Sequence, residues 1–319
     1  MLSPRQALGA LLVAVAACGA PIVFAASTFV NVLTGGTNGV YYPLGVALAG
    51  VIDKTMPNVK TSVQATKGSV ENLNLMQSGR GEIAFALGDA LVDAWKGNEE
   101  AGFKQPLKKI RGIAALYPNY IQIVARADAG IRTLADLKGK KISVGTPKSL
   151  IELNARAVLH AAGIDYKEFS KVEYLPFGES VELMKNRQID ATLQSAVLGA
   201  SSVRDLAQSL PIVVVPIPAG VVKKIGNAAY SEAVIPANTY NGQPADVPTA
   251  AVQNFLVTHD DVSDDVVYGM TKAFWTHLDE LVAAHAAART IDVHKALQGM
   301  PVPLHPGAEK YYKEVGIIK

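Results

Sequence analysis

A strand-like run passes directly into a glycine-rich turn and an apolar helix in TFVNVLTGGTNGVYYPLGVALAGVI, residues 28–52. Its first six residues are rich in aromatic and β-branched side chains, which predicts a β-strand, and the apolar residues after the turn predict a helix. The same order continues with strands predicted at 59–65 and 83–87 and a helix at 68–78 between them. Strands that alternate with helices favour a largely parallel sheet covered on both faces, so this part indicates an α/β lobe.

A second set of α/β units begins after two apolar runs, 110–116 and 120–126. Pro118 and Asn119 lie between the runs and favour a break, so we expect two strands and the crossing between two lobes there. The following elements are predicted next: strand 141–145, helix 150–162, strand 172–176, helix 179–187, strand 190–193 and strand 213–215. The repeated plan predicts a second lobe of the same kind.

The C-terminal part is expected to return to the first lobe. It contains a predicted strand at 252–257 and a predicted long helix at 264–288, preceded by a loop-rich segment at 217–250 with many Pro, Gly and Asn residues. The predicted organisation therefore has three parts: a leader at 1–25, the first lobe at 26–118 and 217–319, and the second lobe at 119–216.

The N-terminus has the composition of a signal peptide. Arg5 precedes an apolar run at 7–17, and Pro21 and small residues around Ala25 follow it, so we expect cleavage after Ala25 and export to the periplasm. An alternative is a lipoprotein acylated at Cys18, since the residues before it resemble a lipobox. Cys18 is the only cysteine, so the folded part offers no disulfide and no cysteine nucleophile.

Charge and motif spacing exclude several classes of function. The chain has 30 Lys and Arg against 28 Asp and Glu without a dense basic stretch, which does not favour nucleic acid as a partner. The six histidines form no HExxH spacing, and neither GxGxxG nor GxxxxGK[ST] nor GxSxG occurs. We therefore expect no metal, no cofactor and no enzymatic activity. No heptad pattern is sustained, and we expect a monomer.

Three strand-to-helix junctions share one chemistry: 34–42, 66–69 and 145–149. Unpaired N–H groups and the helix dipole at a helix N-terminus favour an anion, and glycine permits close approach of a ligand. The hydroxyls that would add hydrogen-bond donors belong to Thr34, Thr37, Thr66, Ser69 and Ser149. The alternative is that these residues only cap helices and form turns. Asp89 lies at another strand end, and two roles stay open for it: it orients an amino group of the ligand, or it caps a helix.

Several segments together resemble the TAXI solute receptors of tripartite ATP-independent periplasmic (TRAP) transporters. They are TGGTNGVYYPLG (34–45), ATKGSVENLNLM (65–76), LADLKGKKISVGTPKS (134–149), YLPFGESVELMKNRQIDA (174–191) and PLHPGAEKYYKEVG (303–316). The resemblance implies a two-lobed type II periplasmic-binding-protein fold with a ligand cleft between the lobes. It also implies a small carboxylate ligand, similar to glutamate or glutamine or a dicarboxylate, which is delivered to the membrane permease of a TRAP transporter.

The resemblance also implies a set of ligand-binding residues. In the first lobe they are Thr34, Gly36, Thr37, Tyr41, Thr66, Ser69 and Asn72. In the second lobe they are the 145–149 loop, with Gly145 and Ser149, and the strand end near Gln194.

Two departures from the family pattern suggest a different ligand. The family usually has glycine-serine-glycine-threonine where this chain has residues 148–151, KSLI, and it often has glycine-x-proline where this chain has residues 198–201, LGAS. We hypothesise that Lys148 supplies a positive charge to a second acidic group of the ligand. The alternative is an exposed lysine beside the cleft.

Two rival functions stay open at this point. One is a receptor for another importer or for a sensor, and the other is an enzyme built on the same two-lobed fold. An enzyme would need a nucleophile or an acid–base pair in the cleft, and the sequence offers no legible one.

Overall fold

The computed structural model describes residues 28–37, 39–147 and 149–319. The expected leader lies outside the described residues, and so do Asn38 and Lys148. Among the described helices, none combines the length and the apolar composition that crossing a bilayer requires.

The first elements form the predicted alternation of strands and helices. They are β1 (Thr28–Leu33), α1 (Tyr41–Thr55), β2 (Val59–Gln64), α2 (Ser69–Gln77), β3 (Ile83–Leu87) and α3 (Gly88–Lys96). The predicted bounds of β1 and β3 are confirmed, whereas α3 was not predicted. α3 begins at Gly88 directly after β3 ends at Leu87, so no loop residues mark the start of this helix in the sequence.

A single strand then replaces the two that were predicted. β4 (Ile110–Arg126) runs for 17 residues through Pro118 and Asn119, so the predicted break there is wrong. Pro118 lies opposite Gln253, next to a shift in strand register. A β-bulge tolerates proline because the missing N–H belongs to a part of the ladder that is already interrupted.

The next elements repeat the alternation of the first set. They are β5 (Lys141–Ser143), α4 (Leu150–Ala161), β6 (Lys171–Glu173), α5 (Phe177–Lys185), β7 (Ala191–Ala196), α6 (Ser201–Ser209) and β8 (Ile212–Val215). The predicted elements are confirmed to within a few residues, and α6 is an addition.

The C-terminal part contains more regular structure than expected. Its elements are α7 (Ala219–Lys224), β9 (Tyr230–Ile235), β10 (Val247–His259), α8 (Asp264–Thr276), α9 (Leu278–Ala284) and α10 (Pro306–Glu314). The segment 217–250 thus holds a helix and a strand, and is not only loop.

The predicted single helix at 264–288 is wrong. His277 leaves the helical region with φ −129° and ψ 35°, which ends α8 and starts α9 in a new direction. The turn brings Leu281 into the same buried cluster as Leu48 and Ile52 of α1, and Lys54 pairs with Glu280 at 2.7 Å. Burial of α9 against α1 therefore outweighs continuation of a straight helix.

Two half-sheets with the same plan share one strand. The first half-sheet has the order β2-β1-β3-β10-β4, and the second half-sheet has the order β6-β5-β7-β4-β8. In each, three parallel strands are followed by an antiparallel fourth strand, β10 in the first and β4 in the second. β4 and β10 pair antiparallel over most of their length and connect the two half-sheets. We call each half-sheet with its helices a half of the molecule.

Each half buries apolar residues on both faces of its sheet. In β1, Val32 packs into a cluster with Leu48, while its neighbour Leu33 packs with Leu73 on the other face. In the second half, one cluster lies between the sheet and α4, and the other lies between the sheet and helices α5 and α6. This arrangement confirms the α/β fold with covered sheets that the alternation predicted.

The segment after β8 packs against the second half. Ile217, Val222 and Val252 lie in the cluster of α4, and Ile235 and Tyr240 lie in that of α5 and α6. The expected return to the first lobe at 217 stays a prediction, and this packing favours a return closer to the middle of β10.

Candidate functional site

Strand ends of the first half meet at one edge. β1 pairs in parallel with both β2 and β3, with Leu33 opposite Gln64 and Ala84. The loops that leave these strands therefore emerge side by side, and they lead into α1, α2 and α3. In open α/β sheets this edge is where ligands bind.

Three of the predicted residues in these loops hydrogen-bond to one another. Thr66 Oγ1 donates to Asn72 Oδ1 at 2.6 Å and lies 3.0 Å from the Thr34 carbonyl oxygen. Asn72 Nδ2 donates to the carbonyls of Thr34 at 2.6 Å and Phe85 at 2.9 Å. Thr34 Oγ1 donates to the Gln64 carbonyl at 2.8 Å. Thr34 and Asn72 are fully buried, so this hydrogen-bond network lies inside the protein, where it connects the ends of the strands and restricts their movement.

The glycine-rich turn places two other predicted residues at the surface. Gly36 and Thr37 are exposed, and the Gly36 carbonyl accepts a hydrogen bond from Gly39 N at 2.8 Å. A Cβ added at Gly36 would meet no atom within 4 Å, which leaves open space beside the backbone. The turn can therefore approach a ligand closely.

Tyr41 connects this edge to the crossing strands. Its ring stacks on Phe85 with centroids 5.2 Å apart, and its hydroxyl donates to Asn254 Oδ1 at 2.5 Å. Burial raises the pKa of Tyr41 far above its usual range, while a hydrogen bond from Ser69 acts in the opposite direction. The Tyr41 hydroxyl therefore stays a neutral hydrogen-bond donor at every physiological pH.

Tyr117 has a hydroxyl with spare hydrogen-bonding capacity. This side chain is 1% exposed, and its oxygen has no hydrogen-bond partner among the described residues. Asn254 Nδ2 donates to the Tyr117 carbonyl at 2.7 Å, which holds β4 and β10 together here. Buried hydroxyls nearly always have a partner, so this one suits a water or a ligand atom.

In the second half, Gly145 and Ser149 shape the start of α4. Gly145 has φ +93°, and an added Cβ would lie 2.7 Å from Ile151 Cγ2, so only glycine fits. Ser149 Oγ accepts a hydrogen bond from Glu152 N at 3.2 Å and caps the helix. Ser149 thus caps α4, and its hydroxyl can still donate one hydrogen bond, so its role as a ligand contact stays a prediction.

Gln194 is fully buried on β7. Its Oε1 accepts a hydrogen bond from Ser202 at 2.6 Å, while its Nε2 has no partner among the described residues. Beside it on β4, Gln122 accepts a hydrogen bond from Tyr240, whose oxygen also accepts one from Gly199 N at 3.0 Å. Tyr240 thus fixes the loop after β7, in which this chain departs from the family pattern.

Sequence reasoning missed several residues of this region. Tyr117 and Asn254 lie in the crossing strands, Asn154 lies in α4 and Tyr230 lies in β9. A polar residue inside an apolar strand run, as at 252–257, is a signal that could have identified Asn254.

Two surface grooves lie away from the predicted residues, and both are in the second half. One of about 680 Å³ is lined by Leu175, Pro176, Leu183 and three glutamates, and one of about 330 Å³ is lined by Arg204 and the turn at 238–242. Within the described residues, no group of three or more His, Cys, Asp or Glu side chains is placed to hold a metal ion.

The fold and the paired half-sheets define the class of this protein, which shares the α/β fold of two-lobed periplasmic binding proteins. Its residues 32–316 match the model of the NMT1-like family. The chain therefore belongs to the NMT1-like family.

Three solved structures illustrate the likeness in fold. PhnD1 from Prochlorococcus marinus in complex with methylphosphonate has a TM-score of 0.57 at 12% identity, over 92% of this chain and 100% of that one. A Xanthomonas citri protein bound to ATP has 0.55 at 12% identity, over 91% and 97%. A TctC solute binding protein from Polaromonas has 0.53 at 16% identity, over 92% and 99%.

Proposed function

We propose that this protein is a periplasmic solute receptor that closes its two lobes on a small carboxylate and delivers it to a membrane importer of the TRAP type. Membership of the NMT1-like family and the fold support the receptor role. The TctC neighbour is a solute binding protein and PhnD1 holds an anion, methylphosphonate, which agrees with this class of ligand. The proposal requires no covalent chemistry.

The observation that carries the proposal is spare hydrogen-bonding capacity beside the crossing strands. Tyr117 and Gln194 each bury a polar group without a partner among the described residues, one on β4 and the other on its neighbour β7. Leaving a buried polar group unpaired costs roughly 1–3 kcal/mol, so a ligand that pairs such groups gains affinity.

Neutral donors suit the capture of an anion. The turn at Gly36 leaves its backbone approachable, and α1 and α2 begin at this edge. Hydrogen bonds from fixed neutral groups and helix N-termini hold a carboxylate without a buried counter-charge. Lys148 is proposed to add the one charge that favours a second acidic group.

A thermal-shift screen of the expected mature protein, residues 26–319, tests this function. The panel contains L-glutamate, L-glutamine, glutarate, methylphosphonate and methanesulfonate, with glucose as the neutral control. A ligand at 100 times its Kd stabilises the protein by about 2.7 kcal/mol, which is readily seen as a higher Tm. A rise with a carboxylate alone supports the proposal, whereas a rise with methylphosphonate alone replaces the carboxylate by a phosphonate.

Protein that was unfolded, washed and refolded provides the control for ligand carried over from expression. If this protein is folded and none of the anions raises its Tm, the proposal of anion capture is wrong.

A further inference from the structure

The two halves also touch beside the crossing strand β10, at a buried carboxylate that follows β3, and both β3 and β9 pair with β10. Asp89, at the start of α3 in the first half, is 4% exposed. Its Oδ1 accepts a hydrogen bond from Ala90 N at 2.8 Å. Its Oδ2 accepts one from Asn154 Nδ2 of α4 and one from the Tyr230 hydroxyl of β9 at 3.1 Å. Asn154 Nδ2 also donates to the Tyr230 oxygen at 2.7 Å.

Apolar packing surrounds this carboxylate from both sides. Leu150 and Leu153 of α4 pack against the first-half cluster that contains Leu73. In return, Leu87 and Val92 of the first half pack with the cluster of the second half. The hydrogen bonds of Asp89 therefore lie in a water-poor contact, where an unpaired carboxylate would be costly.

The contact joins elements that are distant along the chain. Asp89 is separated from Asn154 by 65 residues and from Tyr230 by 141. Asn154 and Tyr230 belong to elements that pack in the second half, whereas α3 packs in the first. If the halves separated, the carboxylate would lose both donors together and would be hydrated instead.

We propose that Asp89, Asn154 and Tyr230 form a latch that holds the two halves in the closed arrangement. The inference rests on the proposed function, since a latch has a role only in a receptor that opens and closes on its solute. As positioning residues, they act on the equilibrium between open and closed forms. The latch therefore sets the fraction of ligand-free protein that is closed, and this fraction affects the apparent affinity for the ligand.

The test compares two tyrosines that each donate a hydrogen bond to a carboxylate. Tyr230→Phe removes the hydroxyl that joins the halves, and Tyr268→Phe removes one that bonds Glu314 within the first half. Both replacements keep the ring, so both variants are expected to fold. Asn154→Leu is a second variant that removes the other donor.

Spin labels attached at Lys60→Cys and Ser170→Cys of the mature protein, residues 26–319, report the distance between the halves. Both sites are exposed and lie at the outer strands β2 and β6, and the only native cysteine, Cys18, is outside this part. Pulsed electron spin resonance on ligand-free protein gives the ratio of short to long distances, that is, of closed to open molecules.

Tyr230→Phe and Asn154→Leu should lower this ratio about tenfold, as expected for a hydrogen bond to a charged group, and Tyr268→Phe should leave it unchanged. An equal ratio in all variants, or a wild-type protein that shows only the long distance, would overturn the latch. The thermal-shift screen is independent of these labels, so a failed latch with a positive screen leaves the receptor function standing.

Discussion

The strand ends of the first half and β7 of the second half differ in whether their buried polar groups have hydrogen-bond partners. In the first half, Thr34, Thr66 and Asn72 satisfy one another and the neighbouring carbonyls. In the second half, Gln194 Nε2 and the Ser195 hydroxyl are buried on β7 without a partner among the described residues. The comparison indicates that the polar groups at the ends of β1 and β2 are already paired within the protein, while β7 holds buried polar groups that a ligand or a water can still pair.

The largest effect is expected from breaking the first-half network. Asn72→Ala removes both hydrogen bonds of Nδ2 and leaves two buried carbonyls with fewer donors, so we expect a loss of about 3 kcal/mol in the free energy of unfolding. Urea denaturation measures it. The matched control is Asn74→Ala on the same helix, whose exposed side chain bonds only main-chain carbonyls.

The control variant should change stability by less than about 0.5 kcal/mol. If Asn72→Ala instead kept its stability but lost affinity for solute, Asn72 would be a ligand contact. The interpretation that its hydrogen bonds serve the structure of the first half would then be wrong.

The second effect concerns the pH dependence at the contact between the halves. Burial raises the pKa of Asp89 to about 6, opposed by its hydrogen bonds from Ala90, Tyr230 and Asn154. Because the folded protein then binds this proton more tightly than the unfolded chain, the contribution of Asp89 to stability is full below the unfolded pKa. It is lost as the pH rises through about 6. Between about pH 4.5 and 7.5 the loss amounts to about 2 kcal/mol.

Asp89→Asn should remove this component, so the difference in unfolding free energy between variant and wild type should change with pH. The difference is the proper measure because buried His259 and His305 have lowered pKa values and act in the opposite direction. The ionisable groups that act on Asp89 are Asp93 of α3 and Tyr230 of β9, and burial raises the pKa of Tyr230 well above its usual range. A difference that is constant with pH would contradict the prediction.

The third effect tests whether the second half supplies charge. Lys148→Ala should weaken the binding of a dicarboxylate such as glutarate by at least tenfold, about 1.4 kcal/mol, and should weaken a monocarboxylate much less. Isothermal titration calorimetry measures both. Lys167→Ala, an exposed lysine of the same half, provides the control. An unchanged affinity for every acid would show that Lys148 is only an exposed lysine.

The smallest effect tests the unpaired amide. Gln194→Ala should weaken solute binding about fivefold, since it removes the amide that has no protein partner for Nε2. Gln208→Ala in α6 is the exposed control and should bind like the wild type. If both variants bind alike, Gln194 Nε2 pairs with a water and not with the ligand, and the comparison with the first half says nothing about ligand binding.

Local pattern predicted most of the fold, and its failures have physical causes. The runs at 28–33 and 83–87 predicted β1 and β3 because both strands are short and rich in apolar residues, and β3 is buried throughout. The break predicted at Pro118 was wrong because a bulge near its partner Gln253 accommodates the proline within the strand. This bulge depends on a strand more than 130 residues away. The break at His277 was hidden because it depends on the packing of α9 against α1.

The candidate site was only partly predictable for the same reason. Ser149 could be identified as a cap from its position before a helix. The buried role of Asn72 depends on the Thr34 carbonyl, 38 residues away, and the pairing of Asp89 with Asn154 and Tyr230 crosses between the halves. Their composition alone gave no sign of which polar groups would meet.

The shared strand β4 has a consequence for dissecting this protein into fragments. β4 pairs with β10 along its first part and with β7 and β8 along its last part, so neither half keeps a complete sheet if the chain is divided. A gene cut at the lobe boundary would yield two pieces with open sheet edges, prone to aggregate. The intact chain should accordingly melt in one calorimetric transition, because the loss of either half removes hydrogen bonds from the other.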